Sequence, residues 1–526
     1  MMRIPIVLRA VTTSWLVVFA NGAVGFLLTP FVLHRLGDEA FGLWVLVVTV
    51  AGYYGLFDLG VGSAVLRYVS HRRALGEKDG VNEVVATAFY FYGCACLVVI
   101  ALAFVVTPWL PRFFSIRHDL IDSFRSLFLL AGVTQALIFP LLVFQASLQG
   151  AARFDQVYML RIASLALRVV AVIAVLNAGG GLYGVGAAVI LPNLLFYVAH
   201  VPLAFRANPG MSVHPKWMRK SVFRDMFRYG AASFAIGIGQ QFRGNIYPVI
   251  IAKFMTPVAV TLFSLPSKLL AVPMEGIGTM TEVVNPLSSE LAAHDDFATL
   301  RKLILLSIQS AFLILAPLAS LLFVFGKELL TFWAGPQYAS AYPLLVLLTI
   351  GLGTAATQCC VQSMLFGIAR HTELIWYRLG EGLSIALVGT ISLRVWGLPG
   401  LALVTAVTLL LTSLVLIPRH LCRILELPLR QYLNEGCLRP CIPAIPFAAT
   451  LLAARFLFVI DTWLALVLAL FLGSLTYLLF LSFLMFRNSL PSWLSLGVLE
   501  IVRERLRAIG KFRPQAALQK IPTGEV

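Results

Sequence analysis

Charge is the scarcest commodity in this chain. Only 12% of its 526 residues are Asp, Glu, Lys or Arg, against about a quarter in ordinary soluble domains, and that excludes a freely soluble globular protein. Acids are scarcer than bases, 24 against 40, which leaves a formal charge of +16. The excess does not point to nucleic acid. Most of it sits in short loops beside apolar runs, where cations face anionic lipid headgroups. No GxxxxGK[ST] phosphate loop occurs, so a built-in nucleotide motor of that kind is excluded. The seven cysteines form no CxxC pair and have no partner ligands nearby, so they read as free structural thiols. His34, His118, His200 and His371 are scattered. No metal site and no cofactor is expected, and no catalytic constellation is present.

What the chain has in abundance is apolar sequence. Runs of about 20 such residues mark helices that cross a bilayer, because a helix satisfies its own backbone hydrogen bonds in lipid. The pattern predicts spans at roughly 11–33, 42–69, 83–107, 124–148, 156–177, 183–205, 229–252, 258–284, 303–325, 341–366, 373–394, 398–418, 440–459 and 463–486. Arg3 and Arg9 precede the first run, which is too long for the core of a signal peptide, about 7–15 residues. It reads as a retained helix.

The connections alternate in character. One set is basic: Arg72, Arg73 and Lys78; the stretch from Arg206 to Arg228; and Arg419, Arg423, Arg430 and Arg439. The other set is short and nearly neutral: His34 to Ala40, Asn177 to Gly181, and Gly326 to Pro343. This asymmetry places the basic loops and both termini in the cytoplasm. The expected fold is an all-α integral membrane protein of about 14 transmembrane helices.

An internal repeat organises them. Gly150-Ala-Ala-Arg153 with Arg161 is matched, 217 residues on, by Gly367-Ile-Ala-Arg370 with Arg378. At nearly the same offset, the stretch from Leu36 to Trp44 parallels that from Met255 to Phe263. An even offset of six spans keeps orientation, so the halves are parallel repeats about an axis along the membrane normal. The expected organisation is a six-helix lobe at 1–206, a basic cytoplasmic linker at 207–228, a second six-helix lobe at 229–420, two additional helices at 421–487, and an amphipathic basic tail at 488–526. In that tail Leu499, Val502, Leu506 and Ile509 share a face, as in a helix lying in the headgroup layer; beyond Pro514 disorder is expected.

A cation at membrane depth costs a few kcal/mol or more and usually faces a polar cavity. Lys268 falls near mid-membrane, and Glu275 and Glu282 follow it at intervals of seven on one helical face. Pro266 and Pro273 loosen the same helix. Arg243 also falls near mid-membrane, with Gln240, Gln241 and Asn245 within about a turn. Arg168 lies seven residues deeper than Arg161, on one face with Ser164, and Asn21 shares a face with Gly25. Guanidinium forks and amide donors suit an anion with several oxygens. Substrate binding is therefore assigned to Arg168, Arg243, Lys268, Gln240, Gln241 and Asn21. Asp58, Glu275 and Glu381 are the candidates for ion coupling; Arg378, three residues before Glu381, offers it a local structural partner.

These residues sit in a chain that resembles a known family. The run LGDEAFGLWVLVVTVAGYYGLFDLGVGSAVLRYVSHRRALGE (Leu36 to Glu77) is similar to the signature of bacterial polysaccharide-repeat flippases, the O-antigen exporters of the multidrug/oligosaccharidyl-lipid/polysaccharide (MOP) superfamily. So are LQGAARF (Leu148 to Phe154) and GKELLTFWAGPQYASAYP (Gly326 to Pro343). The resemblance implies a two-lobed transporter of six plus six helices with two more, in the bacterial inner membrane. It implies alternating access to a cationic cavity and movement of an undecaprenyl-diphosphate-linked oligosaccharide to the outer leaflet. Membrane lipids are expected partners through the basic loops, and a polysaccharide polymerase is a candidate partner. A lipid II flippase, a drug/cation antiporter of the same superfamily and a scramblase-like protein stay open, as does a polymerase or ligase of repeats, which a large outer loop would mark.

Overall fold

The computed structural model describes residues 4–486 except 115, 280, 369 and 371. It is helical throughout the described residues: α1 (Ile4–Leu36), α2 (Asp38–Gly52), α3 (Val61–Ala74), α4 (Lys78–Val106), α5 (Ile121–Gly150), α6 (Phe154–Asn177), α7 (Leu182–Ala207), α8 (Lys220–Phe254), α9 (Pro257–Gly278), α10 (Thr281–Ala293), α11 (Phe297–Trp333), α12 (Pro336–Gly367), α13 (Leu374–Leu411), α14 (Leu429–Leu457) and α15 (Trp463–Phe486). The basic tail expected at 488–526 lies outside the described residues.

Among the described residues, twelve stretches are long and apolar enough to cross a membrane. One of them, Leu374–Ile424, contains a reversal. Gly397 has φ 66°, a value that favours glycine, and beyond it the chain runs back along itself. Ser384 meets Thr408 at 3.1 Å and Glu381 meets Thr412 at 2.5 Å, the pairing of an antiparallel hairpin. Helix α8, with Gln240, Gln241, Arg243 and Asn245 in its middle, stands outside the twelve.

Two predicted spans are broken. The run expected to be continuous over 42–69 is α2, a 3₁₀ turn at Tyr53–Asp58, and then α3. Leu59 and Gly60 at the joint are both left-handed (φ 48° and 75°), a conformation costly for leucine. Asp58 offsets that cost by accepting from the backbone N–H of Gly60 at 3.2 Å and of Gly62 at 3.3 Å, and from the Tyr92 hydroxyl. Gly60 has a second reason to be glycine: a Cβ there would lie 2.4 Å from the carbonyl oxygen of Gly230. The run expected over 258–284 likewise divides into α9 and α10 near Thr279. Lys268 and Glu275 therefore share a helix while Glu282 belongs to the next, and the spacing by sevens does not make one continuous stripe.

The two repeat segments meet each other. Thr261 of α9 donates its hydroxyl to the Asp38 carbonyl at 2.6 Å. Gly42 of α2 packs so closely on Pro257 that a Cβ would lie 1.9 Å from its carbonyl oxygen. Position 38 corresponds to 257 and position 42 to 261 in the Leu36/Met255 alignment, so the contact is reciprocal, as a two-fold relation produces. Around it Tyr338 bonds Asp38, and Trp333 donates to the Phe26 carbonyl at 2.7 Å while stacking on its ring. These contacts close the bundle on the side of the neutral loops. On the basic side, Arg73 ties the segment after α7 to α3 through the Ala207 carbonyl (2.9 Å) and Asn208 Oδ1 (2.7 Å).

Candidate functional site

Just inside that crossing lies a cavity of about 300 Å³ bounded by α1, α2, α6, α7 and α9. Thr256 caps α9, accepting from the Ala259 N–H at 3.4 Å, and Pro257 opens the helix, which fixes its direction. Seven residues past Thr261, about 10 Å by helical rise, Lys268 reaches the cavity with its ammonium 5.5 Å from the Phe41 ring centre. Arg168 enters from α6 on the other side. The two cations come from different halves of the chain, and no carboxylate lines the cavity among the described residues. The Nε of Arg168 is buried without a hydrogen-bond partner, a donor left over for a ligand.

A polar chain leads from this cavity toward the basic side. Arg168 Nη2 donates to Asn21 Oδ1 at 3.5 Å, and Asn21 Nδ2 lies 3.4 Å from each oxygen of Glu275. Four of the sequence candidates, Arg168, Lys268, Asn21 and Glu275, thus converge. Gln241 and Asp58 meet elsewhere, in a separate cavity of about 410 Å³ between the α2–α3 joint and α8. Glu381 is apart from both. It is fully buried against Arg378 (2.5 Å) and accepts from the Thr412 hydroxyl (2.5 Å). The side chains of Gln240, Arg243 and Glu282 lie outside the described residues.

Sequence reasoning left Arg161 out of the site. The structure places it in a further chamber, about 330 Å³, which it shares with Arg168. Its Nη1 donates to Asn193 Oδ1 at 3.1 Å, and its guanidinium lies 5.3 Å from the Phe196 ring centre. Both partners come from α7 and further wall residues from α2 and α5, and only the common face of Arg161, Ser164 and Arg168 was legible in one segment.

Comparison with known proteins defines the class. The arrangement matches that of the lipid II flippase MurJ in an inward closed conformation, with a TM-score of 0.70 at 13% identity, covering 90% of this chain and 99% of that one. An inward-facing multidrug resistance MATE family transporter of the MOP superfamily matches with a TM-score of 0.64 at 14% identity, covering 77% and 94%. The fold is therefore that of the MOP-superfamily transporters. Membrane protein EpsK of Bacillus subtilis (strain 168) is 24% identical over 461 residues, 83% of this chain and 87% of its own. A candidate O-antigen transporter of Salmonella typhi is 22% identical over 135 residues, 25% of this chain and 31% of its own. The sequence profile of the polysaccharide biosynthesis protein family matches residues 32–343. The chain belongs to that family, as the resemblance in its loops and first spans implied.

Proposed function

We propose that this protein carries a polyprenyl-diphosphate-linked oligosaccharide from the cytoplasmic to the outer leaflet of a bacterial inner membrane by alternating access. The observation that carries the reading is the pair Arg168 and Lys268, one from each half of the chain, facing one cavity that no described carboxylate lines. A diphosphate must shed water to cross hydrocarbon, and buried cations with amide donors replace that water. The cationic lining argues against a drug/cation antiporter, which needs acidic groups for its cargo.

On this reading the chain crosses the membrane fourteen times, with the hairpin at Gly397 counted as two passes and α8 added, and both termini lie in the cytoplasm. Two six-helix lobes move about the reciprocal α2–α9 contact, and α14 and α15 are appended to them. Arg243, Gln240 and Gln241 belong to the proposed path by their place on α8. An ion gradient supplies the drive, since no nucleotide loop exists. Glu275 is the first candidate to take up the coupling proton or sodium ion, because it is exposed and joined to Arg168 through Asn21. Asp58 and Glu381 are held by donors of the protein itself and are given structural roles instead.

The test is deletion of the gene followed by assay of lipid-linked sugar sidedness. Accumulation of unpolymerised repeats on the cytoplasmic leaflet is the expected result. Unjoined repeats of normal sidedness on the outer face would assign the protein to polymerisation instead.

A further inference from the structure

The chamber around Arg161 is not needed to hold a diphosphate. Arg168 lines both cavities, but Lys268 lines only the first and Arg161 only the second. Arg161 and Arg168 are seven residues apart on α6, about 10 Å along the axis, so their side chains leave the helix from separate turns and border one chamber. The second chamber has about 330 Å³ of its own, and no described carboxylate lines it.

We propose that this chamber is a second anion subsite, filled by an acidic substituent of the transported glycan, a carboxylate or a phosphate ester on a sugar. The proposal rests on the reading that the diphosphate sits at Arg168 and Lys268. Two guanidinium groups on one chamber repel each other and lose part of their hydration, and an anion between them relieves both costs. Of the five N–H groups of Arg161, one is committed to Asn193. That bond and the Phe196 ring hold the guanidinium in place, as a preformed site requires. The rest of the wall suits a sugar: Thr134, Gln135, Ser164 and Asn193 are hydroxyls and amides, able to meet ring hydroxyls. Trp44 borders both cavities, a flat apolar face between the diphosphate position and the acidic one. The cargo is accordingly an anionic repeat unit, with its charge displaced from the diphosphate by one or more sugars.

The test measures binding of three synthetic short-chain polyprenyl-diphosphate disaccharides to the purified full chain. One is neutral, one carries a glucuronate, and one a phosphate-substituted hexose. The expected result is about tenfold tighter binding of both acidic lipids. Arg161→Gln should abolish that preference and leave the neutral lipid within about threefold, while Arg161→Lys should keep part of it. Equal affinity of the parent chain for all three lipids overturns the proposal, with no variant needed. So does an Arg161→Gln variant that weakens neutral and acidic lipids alike, which would make Arg161 part of the diphosphate site or of the packing. Arg168→Gln separates the two readings: if it leaves all three lipids unaffected, the diphosphate assignment fails.

Discussion

The side-chain amide of Asn21 lies 3.4 Å from both carboxylate oxygens of Glu275. It joins α1 to α9, helices from opposite halves of the chain, while the carbonyl end of the same amide accepts from Arg168 at 3.5 Å. Bonds of that length are weak. They form an adjustable link between the anion site and a group able to change charge. A ligand that competes for Arg168 alters what Asn21 offers to Glu275, and differential stabilisation of two states is what coupling requires.

Replacing Glu275 with Gln should therefore uncouple transport from the gradient without abolishing binding. Transport by Glu275→Gln protein in proteoliposomes should proceed at the same rate with and without an imposed ion gradient, with affinity for a diphosphate lipid within about threefold of the parent. A variant that still answers to the gradient as the parent does would remove Glu275 from the coupling scheme.

Arg168→Gln and Lys268→Gln should each weaken binding of a polyprenyl diphosphate by about 10- to 100-fold, the loss of one charge-assisted interaction of about 1.5–3 kcal/mol. The double variant should lose less than the sum, because both groups address one ligand. Titration against a monophosphate lipid provides the control, which should be affected less.

Asp58 is expected to matter for stability rather than for ion uptake. It accepts from Gly60, Gly62 and Tyr92, and an amide in its place loses one acceptor. Asp58→Asn should destabilise the α2–α3 joint by about 1–3 kcal/mol, read as a lowered melting temperature. Gradient dependence of the remaining transport should be unchanged.

The Arg378–Glu381 pair makes the opposite test of a buried ion pair. Each single replacement, Arg378→Met or Glu381→Gln, should cost about 3–5 kcal/mol by stranding a buried partner, and the double replacement should cost less than either. Thermal unfolding of the four proteins measures the cycle. Additive losses would show that the two side chains act independently.

Much of this was legible in the amino-acid sequence, for identifiable reasons. That Arg168 and Lys268 are cations set within apolar runs is read by counting along those runs. The reversal at Gly397 falls within Gly-Leu-Pro-Gly, between the spans expected at 373–394 and 398–418. The break at Asp58 was hidden, because Tyr-Tyr-Gly-Leu-Phe-Asp reads as apolar helix. Its left-handed joint depends on contacts with Gly230 and Tyr92, remote in sequence. The stripe through Glu282 failed near Thr279, where α9 ends on Gly278; Gly276 and Gly278 stand at that break, but the spacing by sevens runs on across them. The Arg161 chamber draws on α2, α5 and α7 as well as α6, and no pattern within one segment reveals such a convergence. The pairing of position 38 with 261 and 42 with 257 was implicit in the repeat, yet a repeat states equivalence and not contact.

The most direct measurement of the central claim is translocation of a fluorescent polyprenyl-diphosphate oligosaccharide across proteoliposomes holding the parent chain or the Arg168→Gln/Lys268→Gln double variant. The parent should move the lipid to the opposite leaflet, and the double variant should fall to the rate of protein-free vesicles. Equal rates for parent and double variant would contradict the account, because the cavity's two cations would then have no part in carrying the diphosphate.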